Sequence, residues 1–364
     1  MYRRIILIIF VFSTVSCLKA QPNAYDISLI GRNELKGNNI KCSYQDQDGF
    51  LWFGTDKGLF RYDGVSFRSF HQDSGKVLSI TKLIEFQSHL FLLTKRNKLF
   101  KVNLKNYLFS KVNPLKEKQT SDFKINDILV SQQEQLYIST TNGLFKKSDL
   151  QSSFLPVHLV NANNSKRLSN IDKLSEDEHG DLYFSDNQFK AIFKTNQLLA
   201  VDSLKNETVR CDSIFHFRNS VFLTYHKLKR FLWLTHDGKY MVIDAQTNKL
   251  ILSCIYKASS RIVLDKEANV WLNPNRNTGV VVSLYMDSLD HNLFVRRDSQ
   301  EGIRSQTNLY ELVKYLSDYA VSSLFFDKNN TLWVGTEKNG LIKVESKNSF
   351  YRHYGLNEVS FQKK

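Results

Sequence analysis

The feature that most constrains this 364-residue chain is a weak repeat with a period of about 47 residues. Each copy centres on an apolar residue followed by an aromatic one, inside a short apolar run. The seven pairs are Leu51-Trp52, Leu90-Phe91, Leu136-Tyr137, Leu182-Tyr183, Leu232-Trp233, Val270-Trp271 and Leu332-Trp333. A period of about 40 to 50 residues is typical of a propeller blade made of four strands.

The first copy indicates that each unit is a small antiparallel sheet. Residues 44–70 contain short runs rich in aromatic side chains, and Gly and Asp stand between the runs. Such runs are typical of antiparallel strands joined by tight turns. One sheet of this kind cannot bury both of its faces alone, so it needs neighbours. The sequence therefore predicts an all-β fold, namely a seven-bladed β-propeller of four-stranded antiparallel blades.

The boundaries of the copies predict four parts of the chain. We expect a signal peptide over residues 1–20, a lead-in with a ring-closing strand over 21–39, the propeller over 40–355, and the truncated start of a further blade over 356–364.

Two segments outside the copies have predicted roles in the ring. Tyr25–Ile30 alternates as a strand, and we expect it to join the last blade, outside residues 349–354 or in their place, because open sheet edges are a liability. Apolar residues at helical spacing over Asn308–Asp318 predict one short helix between blades six and seven. This helix either packs on the flank of the propeller or shapes a binding face.

Two motifs flank the aromatic anchor. Six residues before it, an Asp that can accept turn N–H groups recurs in four copies, and the other three copies differ. The residues are Asp46, Asp177, Asp265 and Asp327, with Glu85, Ser131 and Lys227 in the remaining copies. Gly-Thr follows the anchor at residues 54–55 and 335–336. With these motifs, the first and last copies, QDQDGFLWFGTDKGLFRYDG and FDKNNTLWVGTEKNGLIKV, resemble the regulator-propeller repeat of bacterial hybrid two-component sensors.

This resemblance implies an exported ligand-sensing module of a hybrid two-component histidine kinase. It would recognise a glycan fragment and signal through domains absent from this chain. In the family the propeller continues into a second propeller, an immunoglobulin-like domain, a membrane helix and a kinase core. The implied partners are an oligosaccharide or other small ligand, a second propeller or kinase-bearing chain, and a second copy in full-length relatives that form homodimers.

Two other functions stay open at this point. The chain could be a stand-alone periplasmic or lipid-anchored binding or scaffold propeller. Less favoured is a propeller-type polysaccharide lyase or glycosidase. We expect no enzyme activity, because the chain ends before a kinase core would begin.

The N-terminus predicts export. Arg3 and Arg4 precede an apolar stretch, and Leu18-Lys19-Ala20 resembles a small-residue cleavage site, so residues 1–20 have the pattern of a secretory signal peptide. The alternative is lipidation at Cys17, which would anchor the protein at the membrane. The predicted location is the periplasm.

Charge and cysteine content exclude some classes of function. The formal net charge is +14, but the cations are scattered and the chain is predicted to be exported, so we expect no nucleic-acid partner. An anionic polysaccharide or a membrane surface is compatible with this charge. Cys42, Cys211 and Cys254 are far apart and form no CxxC motif, so no disulfide framework is predicted.

No chemistry-bearing motif is found. The sequence contains neither a phosphate-binding loop nor an HExxH zinc motif, so we predict no catalytic residues, no cofactor and no metal. The four Trp residues are predicted to pack in the core between blades. Binding residues are instead expected on loops at one mouth of the ring. The candidates are Arg32, Asn38, Lys57, Arg96, Asn142, Asn187, His236, Asp237, Asn275, Arg276 and Lys338.

Overall fold

The fold is known from a computed structural model. It describes residues 25–70, 77–114, 123–195, 208–217, 223–226, 231–236, 239–254, 262–265, 270–272, 282–286, 293–295, 315–316 and 318–346.

The described residues form 28 strands. In chain order these are β1 (Tyr25–Ile30), β2 (Ile40–Gln45), β3 (Leu51–Thr55), β4 (Gly58–Tyr62), β5 (Phe67–Phe70), β6 (Ile80–Phe86), β7 (His89–Thr94), β8 (Leu99–Asn103), β9 (Phe109–Val112), β10 (Ile125–Val130), β11 (Leu136–Thr140), β12 (Gly143–Lys147), β13 (Leu155–Asn161) and β14 (Ile171–Glu176). The second half contains β15 (Leu182–Asp186), β16 (Ala191–Thr195), β17 (Thr208–His216), β18 (Leu223–His226), β19 (Phe231–His236), β20 (Lys239–Asp244), β21 (Leu250–Cys254), β22 (Ile262–Leu264), β23 (Val270–Leu272), β24 (Val282–Met286), β25 (Leu293–Val295), β26 (Val321–Phe326), β27 (Leu332–Thr336) and β28 (Leu341–Ser346).

These strands confirm the predicted all-β fold of four-stranded antiparallel units. Strands β2–β5, β6–β9, β10–β13, β14–β17, β18–β21 and β22–β25 form six consecutive units, which we number as blades one to six. A seventh unit, blade seven, has the strand order β1-β28-β27-β26. Its outermost strand therefore comes from the beginning of the chain. The pairing runs from Tyr25 opposite Ser346 to Ile30 opposite Leu341.

The first strands of the blades lie side by side in chain order. Among the described strands, β2 contacts β6, β6 contacts β10, β10 contacts β14, and β14 contacts β18. Strand β26 contacts both β22 and β2, so the last blade lies against the first. A side chain of one blade also donates a hydrogen bond to the carbonyl of the first residue in the first strand of the next blade. These bonds run from Ser322 Oγ to the Ile40 carbonyl (2.8 Å), from Asn97 Nδ2 to that of Ile125 (2.9 Å), and from Asn126 Nδ2 to that of Ile171 (2.8 Å).

Blades three and four are joined further by a strand pairing at their outer edges. Strand β13 pairs in parallel with β17, with His158 opposite Thr208 and Asn161 opposite Cys211. The two blades consequently form one eight-stranded sheet.

The hydrophobic core lies between neighbouring blades. Trp52 packs with Phe70 of its own blade and with Ile80 and Leu92 of blade two. Trp333 of blade seven packs in the same way against blade one. Trp52, Trp271 and Trp333 are all buried, which confirms the prediction of core packing for these three anchors. The side chain of Trp233 lies outside the described residues.

The Asp before the anchor closes the turn and also binds the anchor itself. In blade one, Asp46 Oδ1 accepts the Phe50 N–H (2.8 Å), and Oδ2 accepts the Trp52 indole N–H (2.7 Å). The indole bond recurs between Trp271 and Asp265 and between Trp333 and Asp327. The sequence predicted the bonds to the turn but not those to the indole.

Blade four has no indole N–H at this place, and the ammonium group of a lysine contacts the Asp instead. Its anchor is Tyr183, and Lys194 Nζ lies 3.1 Å from Asp177 Oδ2 and 3.4 Å from Asp181 Oδ2. Burial lowers the pKa of Lys194, but the contacts with Tyr183 and Asp177 outweigh it, so the pKa is raised. The ammonium group therefore stays charged beside the buried carboxylate.

The assignment of Glu85 to the Asp position was wrong. Glu85 lies opposite Leu90, as Gln45 lies opposite Leu51, so Glu85 corresponds to Gln45. The reason is that blade two has a two-residue turn, Gln87-Ser88, in which both residues have positive φ.

The Gln45 position has a function that recurs around the ring. Its side chain accepts a backbone N–H from the turn of the preceding blade. The bonds run from Lys328 to Gln45 (2.7 Å), from Gln47 to Glu85 (2.9 Å) and from Gln132 to Glu176 (2.9 Å).

Only the end of the predicted helix over Asn308–Asp318 can be compared. Residues 308–314 lie outside the described part, whereas Tyr315 and Leu316 are helical. Leu316 is fully buried and packs with Trp271 and Leu332, between blades six and seven.

Candidate functional site

The antiparallel strands place two kinds of loop at one end of the ring. These are the turns between second and third strands and the segments that lead into each first strand; we call this end the upper face. The residue after each second strand donates its N–H to the carbonyl of the residue before the first strand. The pairs are Asp56–Asn39 (3.1 Å), Lys95–Ser79 (2.8 Å), Thr141–Lys124 (3.1 Å), Asn187–Asn170 (2.8 Å) and Glu337–Ala320 (2.9 Å).

Most described candidate residues lie on this upper face. Arg32, Lys57, Arg96, Asn142 and Lys338 are exposed there, and Asn187 is half-buried. His236 ends β19, but its side chain lies outside the described residues, as do Asp237, Asn275 and Arg276.

Asn38 differs from the other candidates because it is buried, with 6% exposure. Its Oδ1 accepts a bond from the Thr55 hydroxyl (3.4 Å), and its Nδ2 donates to the Lys36 carbonyl (3.5 Å). Thr55 Oγ1 also accepts the Lys57 N–H (3.0 Å). The Asn38 side chain therefore faces the upper turn of blade one and not the solvent, so it supports this turn.

Three lysines come from adjoining segments where blade seven meets blade one. The Gly37 N–H donates to the Lys338 carbonyl (3.0 Å), and Lys36 forms a β-bridge with Asn339. A Cβ atom placed on Gly37 would lie 3.3 Å from Lys57 Nζ, so the Lys57 ammonium group lies over this glycine. We call Lys36, Lys57 and Lys338 the three-lysine patch. Arg32 lies in the same lead-in segment.

The three-lysine patch lies on the same segments as Glu34, Asp56 and Glu337, but its ammonium groups form no ion pair with a described carboxylate. All three side chains are exposed. Within the part of the chain that the structure describes, none of them has a carboxylate oxygen within 4.0 Å. The nearby Asp56 carboxylate accepts the Asn39 N–H (2.8 Å). Sequence reasoning predicted Lys57 and Lys338 but missed Lys36, although Lys36 stands next to the turn glycine Gly37.

The first strands of blades two, three and four carry a second set of charged residues that the sequence did not lead us to predict. Lys82 Nζ of blade two lies 2.6 Å from Asp127 Oδ1 of blade three, and Asp127 Oδ2 accepts the Leu174 N–H of blade four (3.1 Å). Lys173 Nζ lies 3.0 Å from Asp172. Burial lowers the pKa of Lys173, but these two Asp carboxylates raise it above its usual value. These residues could have been found from the sequence, because Lys82, Asp127 and Lys173 hold the same strand position in successive copies.

Neither a metal centre nor a membrane helix is found in the described residues. No cluster of three or more His, Cys, Asp or Glu side chains there could hold a metal ion. No helix in that part is long and apolar enough to cross a membrane. Cys42 and Cys211 are buried and are not joined in a disulfide, and burial raises the pKa of the Cys211 thiol to about 12.

Two segments of the chain match a known family model. Residues 34–57 and 315–338 match the model described as two component regulator propeller. The first segment spans the lead-in and the first two strands of blade one, and the second spans the corresponding part of blade seven. The resemblance predicted from the first and last copies is confirmed.

Solved structures resemble the whole fold. The extracellular domain of BT3049 from B. thetaiotaomicron, described as a hybrid two component system, matches with 22% identity and a TM-score of 0.59, over 88% of this chain and 42% of that one. The extracellular domain of BT4673 from the same organism matches with 17% identity and a TM-score of 0.59, over 88% and 39%. This chain thus spans about two fifths of the length of these structures.

Other propellers are comparably similar in shape. Virginiamycin B lyase from Staphylococcus aureus matches with 11% identity and a TM-score of 0.60, over 88% of this chain and 99% of that one. At such low identity these likenesses show the fold alone. No curated protein matches the chain in sequence. The fold and the repeat together define a β-propeller that carries regulator-propeller repeats.

Proposed function

We propose that this chain is the exported ligand-sensing propeller of a hybrid two-component regulator and that it binds a glycan fragment at its upper face. The observation that carries the proposal is the regulator-propeller match in blades one and seven, which lie next to each other in the ring. The extracellular domains of BT3049 and BT4673, described as hybrid two component systems, support the context and the export.

The chemistry of the upper face suits a hydroxyl-rich ligand. Exposed amide and cationic groups, including Asn142, Arg96 and Lys57, lie on the same end of the ring. Amides both donate and accept hydrogen bonds, as sugar hydroxyls require. The turns that present them are held by the repeated backbone bonds described above. Such a face is held ready for a ligand without much further ordering.

Signalling would then follow from a change in population. A glycan that contacts the upper face and a neighbouring module would favour one arrangement of the two over another. That module would be a second propeller or a kinase-bearing chain, and a homodimer would couple two such units. In this proposal the chain binds its ligand and does not turn it over. Export by simple cleavage after residue 20 is preferred to lipidation at Cys17.

Calorimetry with a panel of oligosaccharides, at constant salt, tests the proposal. We expect one glycan class to bind the mature chain and the double variant Asn142→Ala/Asn187→Ala to weaken that binding. The matched control is Gln133→Ala/Gln246→Ala, which removes two exposed amides from turns at the opposite end. Unchanged affinity in the first variant would place the ligand elsewhere. A panel with no binder at all would reject glycan sensing by this propeller.

A further inference from the structure

Acidic side chains in the turns support the fold at both ends of the ring, and at the upper face Asp186 accepts the N–H groups of Gln188 and Phe189. The lower face consists of the turns between first and second strands and between third and fourth strands. Its carboxylates accept N–H groups of their own turns. Asp63 accepts those of Val65 and Ser66, Asp149 those of Gln151 and Ser152, Asp244 those of Gln246 and Thr247, and Asp327 those of Asn329 and Thr331. Local turn formation therefore accounts for the acidic residues at this end.

The cations of the upper face have no comparable structural task. In the described part of the chain, the ammonium groups of Lys36, Lys57 and Lys338 form no hydrogen bond with a turn and no ion pair. Their backbones are nevertheless tied together, because the Gly37 N–H bonds to the Lys338 carbonyl and Lys57 Nζ lies over Gly37. Three exposed ammonium groups on adjoining segments, none of them in an ion pair with a described residue, are available to an anion at this place.

We propose that the three-lysine patch binds the acidic groups, carboxylate or sulfate, of an oligosaccharide. This inference rests on the proposed function and narrows its ligand to an anionic glycan. Lysine ammonium groups act as point charges with three donors each, which suits the oxygens of carboxylates and sulfates. Because the lysines come from two neighbouring blades, they can contact successive acidic groups of one chain. Arg32, in the same lead-in segment, extends the positive surface.

The patch variant is Lys36→Gln/Lys57→Gln/Lys338→Gln. The control is Lys105→Gln/Lys111→Gln/Lys249→Gln, which removes the same net charge from exposed positions away from the upper face. Glutamine keeps a long polar side chain at each site, so only the charge changes. The probes are a galacturonate hexasaccharide, a sulfated chondroitin hexasaccharide and neutral maltohexaose, measured by calorimetry at low and at moderate salt.

We expect one acidic hexasaccharide to bind more tightly than maltohexaose, and higher salt to weaken that binding. The patch variant should lose about tenfold in affinity, because each exposed ion pair contributes roughly two- to fivefold. The control variant should stay within about twofold of the unmodified chain.

Several results would overturn the inference. Equal losses in both variants would mean that only net charge matters. Binding of maltohexaose but of neither acidic probe would reject the anionic ligand and leave glycan sensing intact. If no hexasaccharide binds, both proposals fail. If the patch binds vesicles of phosphatidylcholine and phosphatidylglycerol while both acidic probes fail, its partner is a membrane surface and the glycan assignment is wrong.

Discussion

Replacing Asp46 by Asn tests the link between the turn and the aromatic anchor. The Asp46 side chain is 2% exposed, and its two oxygens accept the Phe50 N–H at 2.8 Å and the Trp52 indole N–H at 2.7 Å. A carboxamide has one acceptor oxygen and one donor NH₂ group. In the variant one buried N–H must therefore face another donor, although the shape of the side chain is nearly unchanged.

The expected cost follows from the lost bond and the orphaned donor. A buried polar group without a partner costs about 1–3 kcal/mol, and a hydrogen bond to a charged group contributes about 1.5–3 kcal/mol. Because one of the two bonds survives, we expect Asp46→Asn to lower the free energy of unfolding by about 2–3 kcal/mol. Trp52→Phe removes the same indole donor and leaves a carboxylate oxygen unpaired. The double variant should thus cost about 1–2 kcal/mol less than the sum of the single variants.

Urea unfolding followed by far-ultraviolet circular dichroism provides the measurement, since this signal comes mainly from the backbone and its midpoint can be compared between variants with and without the indole. Asp63→Asn is the control, because Asp63 accepts turn N–H groups but is exposed and binds no indole. It should cost clearly less than Asp46→Asn. The reasoning is refuted if Asp46→Asn costs under about 0.5 kcal/mol, or if the two single losses simply add.

Three further variants or reactions test other parts of the ring. Burial raises the pKa of Glu85, so its ionised form destabilises the folded state at pH values above the pKa of the unfolded chain. Glu85→Gln should still accept the Gln47 N–H and should raise the free energy of unfolding at pH 7, and urea unfolding should show this gain vanish below about pH 4. Gly335→Ala would place a Cβ atom against Ser323 Oγ and 2.9 Å from Ile40 Cβ, so we expect a loss of about 2–3 kcal/mol in thermal unfolding, and an unchanged Tm would contradict this packing. Cys211 should resist alkylation at pH 8 until the chain is unfolded, because burial raises its thiol pKa to about 12.

Much of the fold could be predicted because one short pattern repeats. The aromatic anchors and the Gly and Asp turns mark strands in every copy, so small errors in one copy do not change the fold class. Glu85 illustrates where this reasoning ends. Its distance from Phe91 equals that of Asp46 from Trp52, yet the shorter turn of Gln87 shifts the register by one residue. Spacing along a chain cannot reveal such a shift.

The candidate site was less predictable, because a loop position does not determine the use of its side chain. Lys57 and Lys338 were predicted from their turns, but their proximity depends on the closure of the ring and on Gly37. Asn38 stands in a loop and is nevertheless buried against Thr55. The ion pair of Lys82 with Asp127 joins residues 45 positions apart, and only the contact between two blades brings them together.

The parallel pairing of β13 with β17 has a mechanical consequence. Sliding of blade three against blade four would have to break several backbone hydrogen bonds at once, so these two blades behave as a stiff arc of the ring. Blade seven lies next to blade one, and its outermost strand, β1, comes from the beginning of the chain. Any hinge-like adjustment of the ring to a load is therefore expected at junctions without such a pairing and not within this arc.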